Sequence, residues 1–302
     1  MLGIAAGLLT ALAQSISYLC SRHLVSHRGW SLRQLLVLAH VWMGLMALLL
    51  LPLTWHAQVP SWRQWALPLT GVTLFYLLGQ TSLFYALRYT EASRVAPLLG
   101  IKLVMLALAA VVLLGQALAL GQWLAVGLAT TAALLLNQTG GRLPTRAIVA
   151  ILLACVGYTG SDLCISVLNQ QLQSPGTPTL QVAMLGASLS YLLSGLIGAV
   201  LLPWHGERRP QRWLAALPYA LAWFVAMLGM YAAISLAGVV LANILQSTRG
   251  LMSVALGALL AGVGLVHLES KATRSVLIRR LIAAGLMTLA VGLYVYYRPA
   301  LR

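Results

Sequence analysis

Lys102, Asp162 and Arg249 are the ionisable residues, histidine apart, that fall well inside apolar stretches of this chain. A charged side chain at the centre of a membrane-spanning helix costs ~3 kcal/mol or more, and it persists where it faces a cavity or an opposite charge. Two cations and one carboxylate therefore suggest an anion clamp together with an ion pair. Counting depth along the apolar stretches pairs Asp162 with Arg249 and leaves Lys102 for substrate. Asp162 then either neutralises Arg249 structurally or titrates as the proton-coupling group. The plainer readings are that Lys102 snorkels to the interface and that Arg249 serves only its ion pair. Polar residues at similar depth widen the candidate site: Gln14, Ser15, Gln80, Tyr85, Tyr231, Asn243, Gln246 and Thr248. Any one of these, taken singly, is more often glue between helices than a ligand contact. His40 reads as a satisfied buried histidine in preference to a proton relay.

Catalysis finds little support in the same residues. The chain has no His/Cys/carboxylate cluster, nucleophile elbow, Walker A loop or dinucleotide loop. No enzyme, cofactor or metal site is expected, and uphill movement of a solute would draw on an ion gradient. Cys20, Cys155 and Cys164 show no ligand spacing and read as small packing residues.

The elements that position these residues follow from hydropathy. About 61% of residues are hydrophobic and 8% charged. A span needs ~20 mostly apolar residues, and ten stretches qualify: 2–20, 35–55, 65–87, 92–114, 119–136, 147–168, 180–202, 213–236, 238–265 and 279–297. They divide into two sets of five, residues 1–140 and 141–302. Five is odd, so the second set enters the membrane inverted relative to the first. The expected fold is an all-α polytopic membrane protein of ten transmembrane helices in two inverted five-helix repeats, with its site between the halves.

Sliding the chain on itself by 146 residues supports the duplication, laying Ser15 on Ser161, Tyr85 on Tyr231, Ala86 on Ala232, Ala96 on Ala242 and Leu99 on Leu245. The same shift sets Lys102 on Thr248, one residue before Arg249. Small residues recur every fourth position at Gly186, Ser190, Ser194 and Gly198, spacing that lets helices approach closely. This stripe reads as static packing, a sliding seam or the face of a homodimer.

The net charge of +15 points to membrane orientation and not to nucleic acid, because the cations sit in short loops. Fourteen of nineteen Lys and Arg lie in or beside the loops after odd-numbered spans, against Arg63 alone after even-numbered ones. Cytoplasmic loops are enriched in Lys and Arg, so both termini are expected to be periplasmic, in a bacterial cell inner membrane. The first stretch lacks a basic n-region and reads as a retained helix.

The run Tyr85-Ala86-Leu87-Arg88-Tyr89-Thr90-Glu91-Ala92-Ser93, and the segment from Ala96 through Leu114-Gly115-Gln116 to Gly121-Gln122, resemble the drug/metabolite transporter superfamily, in particular its EamA-type ten-helix members. That family usually ends span 4 with Leu-Gly-Glu, and Gln116 stands here at the Glu position. The resemblance implies a central cavity lined by spans 3, 4, 8 and 9 with help from 1 and 6, and peripheral spans 5 and 10. Together with the charges it implies a secondary transporter that exports or exchanges a small carboxylate-bearing or amino-acid-like metabolite. The alternative is a translocase of a lipid-linked or phosphate-bearing amphiphile, with Lys102 and Arg249 on its phosphate. A small-molecule substrate and the lipid bilayer are the expected partners.

Overall fold

The computed structural model describes residues 1–27, 29–86, 89, 99–135, 144–205, 209–262 and 274–297. The helices are α1 (Leu2–Arg22), extended by a π-helical turn at His23–His27, α2 (Leu32–Thr54), α3 (Trp62–Ala86), α4 (Ile101–Leu114), α5 (Leu120–Leu135), α6 (Thr145–Leu172), α7 (Thr179–His205), α8 (Pro210–Ala237), α9 (Val239–Ser247), α10 (Arg249–Gly262) and α11 (Arg274–Tyr296). No strand occurs among the described residues. Long runs of Leu and Ala account for the helices, since in lipid every backbone polar group must be satisfied within its own segment. Six of them, α1, α2, α3, α6, α7 and α8, are long and apolar enough to cross a bilayer. The chain is an integral, polytopic membrane protein.

Helix ends follow their sequence signals. Pro210 opens α8, where its missing N–H costs nothing. Gly115 ends α4 with φ 62° in the left-handed region, and the Gln116 N–H returns to the Ala110 carbonyl at 3.2 Å. Gly238, with φ 82°, is the elbow between α8 and α9.

The expected single span over 238–265 is corrected by the structure, which breaks it at Thr248 into α9 and α10. Two side-chain hydroxyls compete for backbone carbonyls at the break. The Ser247 hydroxyl donates to the Ile244 carbonyl at 2.6 Å and the Thr248 hydroxyl to the Leu245 carbonyl at 2.7 Å. Such back-bonding bends helices. For the expected span over 92–114, residues 92–98, including Pro97, lie outside the described residues, and the helix that is described begins only at Ile101.

The main packing pairs are α1 with α8, α3 with α6, α2 with α7, and α5 with α11. Glycine lets two of these backbones touch. A Cβ built on Gly195 of α7 would sit 2.5 Å from the Gly44 Cα of α2, and one on Gly157 of α6 would sit 2.5 Å from the Gly79 backbone nitrogen of α3. Neither neighbour can yield, because both are backbone. Gly195→Val should therefore lower stability by about 1–3 kcal/mol or more, read as a lower thermal midpoint in detergent. Gly127→Val is the control, because its Cβ meets nothing within 4 Å.

In the small-residue stripe of α7, Gly186 faces the Asn169 amide of α6 and Gly198 faces His40 of α2. The stripe thus packs inside the bundle, and the dimer-face reading finds no exposed surface there.

Candidate functional site

A cavity of about 60 Å³ lies inside the bundle, walled by residues of α1, α3, α4, α6, α7, α8, α9 and α10. Among the described residues, α2, α5 and α11 contribute nothing to it. Lys102, Asp162 and Arg249 all stand on its wall.

Their pairing differs from the expectation. Lys102 Nζ lies 2.6 Å from Asp162 Oδ2, so the buried ion pair joins α4 to α6 and does not involve Arg249. Depth along a helix gives height in the membrane but not position around the bundle, and it was position that decided. α4 packs directly on α6, whereas α10 packs on α1. Lys102 also stands 5.6 Å from the centroid of the Tyr158 ring, a cation–π contact.

Arg249 is the cation left without a carboxylate among the described residues. Its Nη1 donates to Gln14 Oε1 at 3.2 Å, and its guanidinium carbon stands 5.8 Å from the Tyr18 ring centroid. Both partners are on α1, four residues and so about one turn apart. The Ser15 hydroxyl reaches the Arg249 carbonyl at 2.9 Å and the Ala11 carbonyl at 2.8 Å, sharing one proton between them. Arg249 is thus held at both its backbone and its side chain by α1. It is also the first residue of α10, and Lys102 is the second of α4. Helix N-termini carry partial positive charge, so both cations add to a field that calls for an anion.

The remaining sequence candidates divide. Gln14, Gln246 and Tyr231 line the cavity. The Tyr231 hydroxyl is buried without a hydrogen-bond partner. Its neighbour Ser190 spends its own proton on the Gly186 carbonyl at 2.8 Å. Ser15 and Thr248 act on backbone as described, and Asn243 donates to the Val239 carbonyl of its own helix at 3.0 Å. Tyr85 lies elsewhere: it is 42% exposed, stands 3.1 Å from the Tyr89 hydroxyl, and borders an outer groove with Arg146 and Val149. Five residues separate it from Gln80, which turns it about 140° around α3.

Gln80 is buried behind the wall in a directed chain of hydrogen bonds. The Tyr158 hydroxyl donates to Gln80 Oε1 at 2.6 Å, and Gln80 Nε2 donates to the Tyr76 hydroxyl at 3.1 Å. Tyr76 must then give its proton to His40 Nε2, 3.1 Å away, which leaves His40 Nδ1 protonated toward the Leu36 carbonyl at 2.8 Å. His40 is accordingly a satisfied buried histidine.

Sequence reasoning missed most of the aromatic wall: Tyr18, Tyr76, Tyr158, Tyr191 and Trp223. A usable signal existed. Tyr18 follows Gln14 by four residues, Tyr158 precedes Asp162 by four, and Tyr76 precedes Gln80 by four. Residues four apart share a helix face, so three of the five could have been found from candidates already in hand.

Comparison with known proteins now decides the family. The model of the EamA-like transporter family matches residues 1–138. This family lies within the drug/metabolite transporter superfamily, and the match suggests a transporter of that type. A search of curated proteins gave no match. Among solved structures, one described as the crystal structure of a protein is similar over 96% of this chain and 98% of its own, with TM-score 0.67 at 13% identity. At that identity the likeness concerns the fold alone. The Gln116 N–H bonds to the Ala110 carbonyl at the end of α4, a backbone role that needs no carboxylate.

Proposed function

We propose that this EamA-type protein is a secondary transporter that exports or exchanges a small carboxylate-bearing metabolite, with Arg249 as the anion-binding residue. One observation carries the reading: a guanidinium on the wall of an internal cavity with no carboxylate partner among the described residues. Arg249 is half-buried, so its charge is partly withdrawn from water, and a substrate anion offsets that desolvation each time it binds. The break between α9 and α10 beside Arg249 supports the same reading, since discontinuous helices form the substrate sites of many transporters.

The packing pairs support two inverted five-helix repeats, residues 1–140 and 141–302. Exchanging the halves turns the α1–α8 pair into the α6–α3 pair and returns α2–α7 and α5–α11 to themselves. The basic odd-numbered loops would then be cytoplasmic in a bacterial inner membrane. A reporter fused after Arg302 should read periplasmic, and a cytoplasmic reading would overturn this orientation.

Transport itself is tested by counterflow in proteoliposomes. Vesicles loaded with an unlabelled monocarboxylate should accumulate the labelled compound, and empty vesicles should not. Flipping of a phosphate-bearing amphiphile between leaflets, with no carboxylate exchange, would favour the translocase instead.

A further inference from the structure

The cavity wall constrains its occupant beyond the need for an anion. Its described ionisable residues are Lys102, Asp162 and Arg249, and the Lys102–Asp162 pair at 2.6 Å is neutral within itself. Among the described residues one positive charge remains. The chain holds four acidic residues, of which Asp162 is the one within an apolar stretch. A substrate ammonium would therefore have to take Asp162 from Lys102, leaving a second uncompensated cation beside Arg249. A monoanion without an ammonium balances the site; a zwitterion does not.

The wall is also aromatic. Tyr18, Tyr76, Tyr158, Tyr191, Trp223 and Tyr231 all border the cavity. Two of them have spent their polar tips inside the protein. Tyr158 donates to Gln80 at 2.6 Å, and Trp223 Nε1 donates to the Tyr191 hydroxyl at 3.0 Å. What these residues offer to an occupant is ring surface. The rings already meet edge to face: Tyr18 on Trp223 at 6.1 Å and Tyr76 on Tyr191 at 6.1 Å. Another ring enters such an array with the same favourable geometry, worth about 0.5–1.5 kcal/mol beyond the area it buries. Donors with spare capacity include the Arg249 guanidinium and the Tyr231 hydroxyl, which has no hydrogen-bond partner among the described residues.

From this charge balance and this wall we infer that the site takes an aromatic monocarboxylate lacking an ammonium group. The inference rests on the transporter reading above and narrows it. At about 60 Å³ the cavity holds a few waters, whereas about 150 Å³ accommodates a benzene ring. Binding must therefore part the walls.

Isothermal titration of the full-length protein in detergent tests the inference with four probes: 3-phenylpropionate, butyrate, phenylalanine and 2-phenylethylamine. 3-Phenylpropionate should bind at least about tenfold more tightly than butyrate, which lacks the ring, and more tightly than phenylalanine and 2-phenylethylamine, whose ammonium the site does not balance. Trp223→Leu should shrink the ratio between 3-phenylpropionate and butyrate towards one, and Tyr18→Leu offers the same readout should the first variant fold poorly. Butyrate binding as tightly as 3-phenylpropionate would overturn the aromatic assignment and leave the carboxylate-transporter reading standing. Phenylalanine binding as tightly would overturn the charge balance alone. Binding of 2-phenylethylamine in preference to every carboxylate, or of no carboxylate at all, would overturn both the inference and the reading beneath it.

Discussion

Arg249→Gln should abolish carboxylate counterflow while leaving the protein as stable as the parent or more so. Truncating one partner of a desolvated charge pair costs about 2–5 kcal/mol, which at 1.4 kcal/mol per tenfold is a loss of about 30-fold to several thousand-fold in substrate affinity. Stability moves the other way because the resting protein supplies Arg249 with no carboxylate among the described residues. Its partners are the Gln14 amide oxygen at 3.2 Å and the Tyr18 ring. A neutral amide in its place removes a half-buried charge and strands no opposite charge among the described residues. Arg249→Lys should fall between the two. It keeps the charge but loses the planar fork that grips both carboxylate oxygens. Counterflow in proteoliposomes gives the transport loss, and the thermal midpoint in detergent gives the stability. Loss of both transport and folding in Arg249→Gln would mean that Arg249 is structural. Full transport by Arg249→Gln would remove it from the site.

The helices were legible because lipid imposes one rule on every residue that enters it, and runs of Leu and Ala obey that rule visibly. The break at Thr248 was not legible. Ser and Thr are ordinary in membrane helices, and whether their hydroxyls bend the chain depends on the rotamer chosen. The site was legible in part for a related reason. Buried charge is costly wherever it sits, so Lys102, Asp162 and Arg249 stood out by type alone, and the structure puts all three on one cavity. Which of them pair depends on how the helices are arranged around the bundle, and no hydropathy pattern encodes that. Tyr85 and Tyr231 coincide under the repeat shift, yet one is 42% exposed and the other 1%. Equal register under the shift does not bring equal surroundings.

Asp162→Asn should destabilise the protein by about 3–5 kcal/mol, and so should Lys102→Gln, because each change strands the other member of a buried ion pair. The double variant, Lys102→Gln with Asp162→Asn, should recover much of the loss. With both charges gone, an amide faces an amide across the 2.6 Å gap that the pair now spans, and neither is expensive to bury when hydrogen-bonded. Pairing Arg249→Gln with Asp162→Asn should give no such rescue, since the ion pair lies between α4 and α6 and not between α6 and α10. Thermal midpoints of the four single and double variants complete the cycle, and a coupling energy near zero between Lys102 and Asp162 would sink the assignment. Transport adds a second readout. The rescued double variant keeps Arg249 and the same net charge in the cavity, so it should still exchange a monocarboxylate. The Asp162→Asn single variant raises the cavity charge by one, so where it folds its preference should move towards a dicarboxylate. A rescued double variant that folds but no longer exchanges any carboxylate would show that the pair does more than balance charge, and that Lys102 or Asp162 itself meets the substrate.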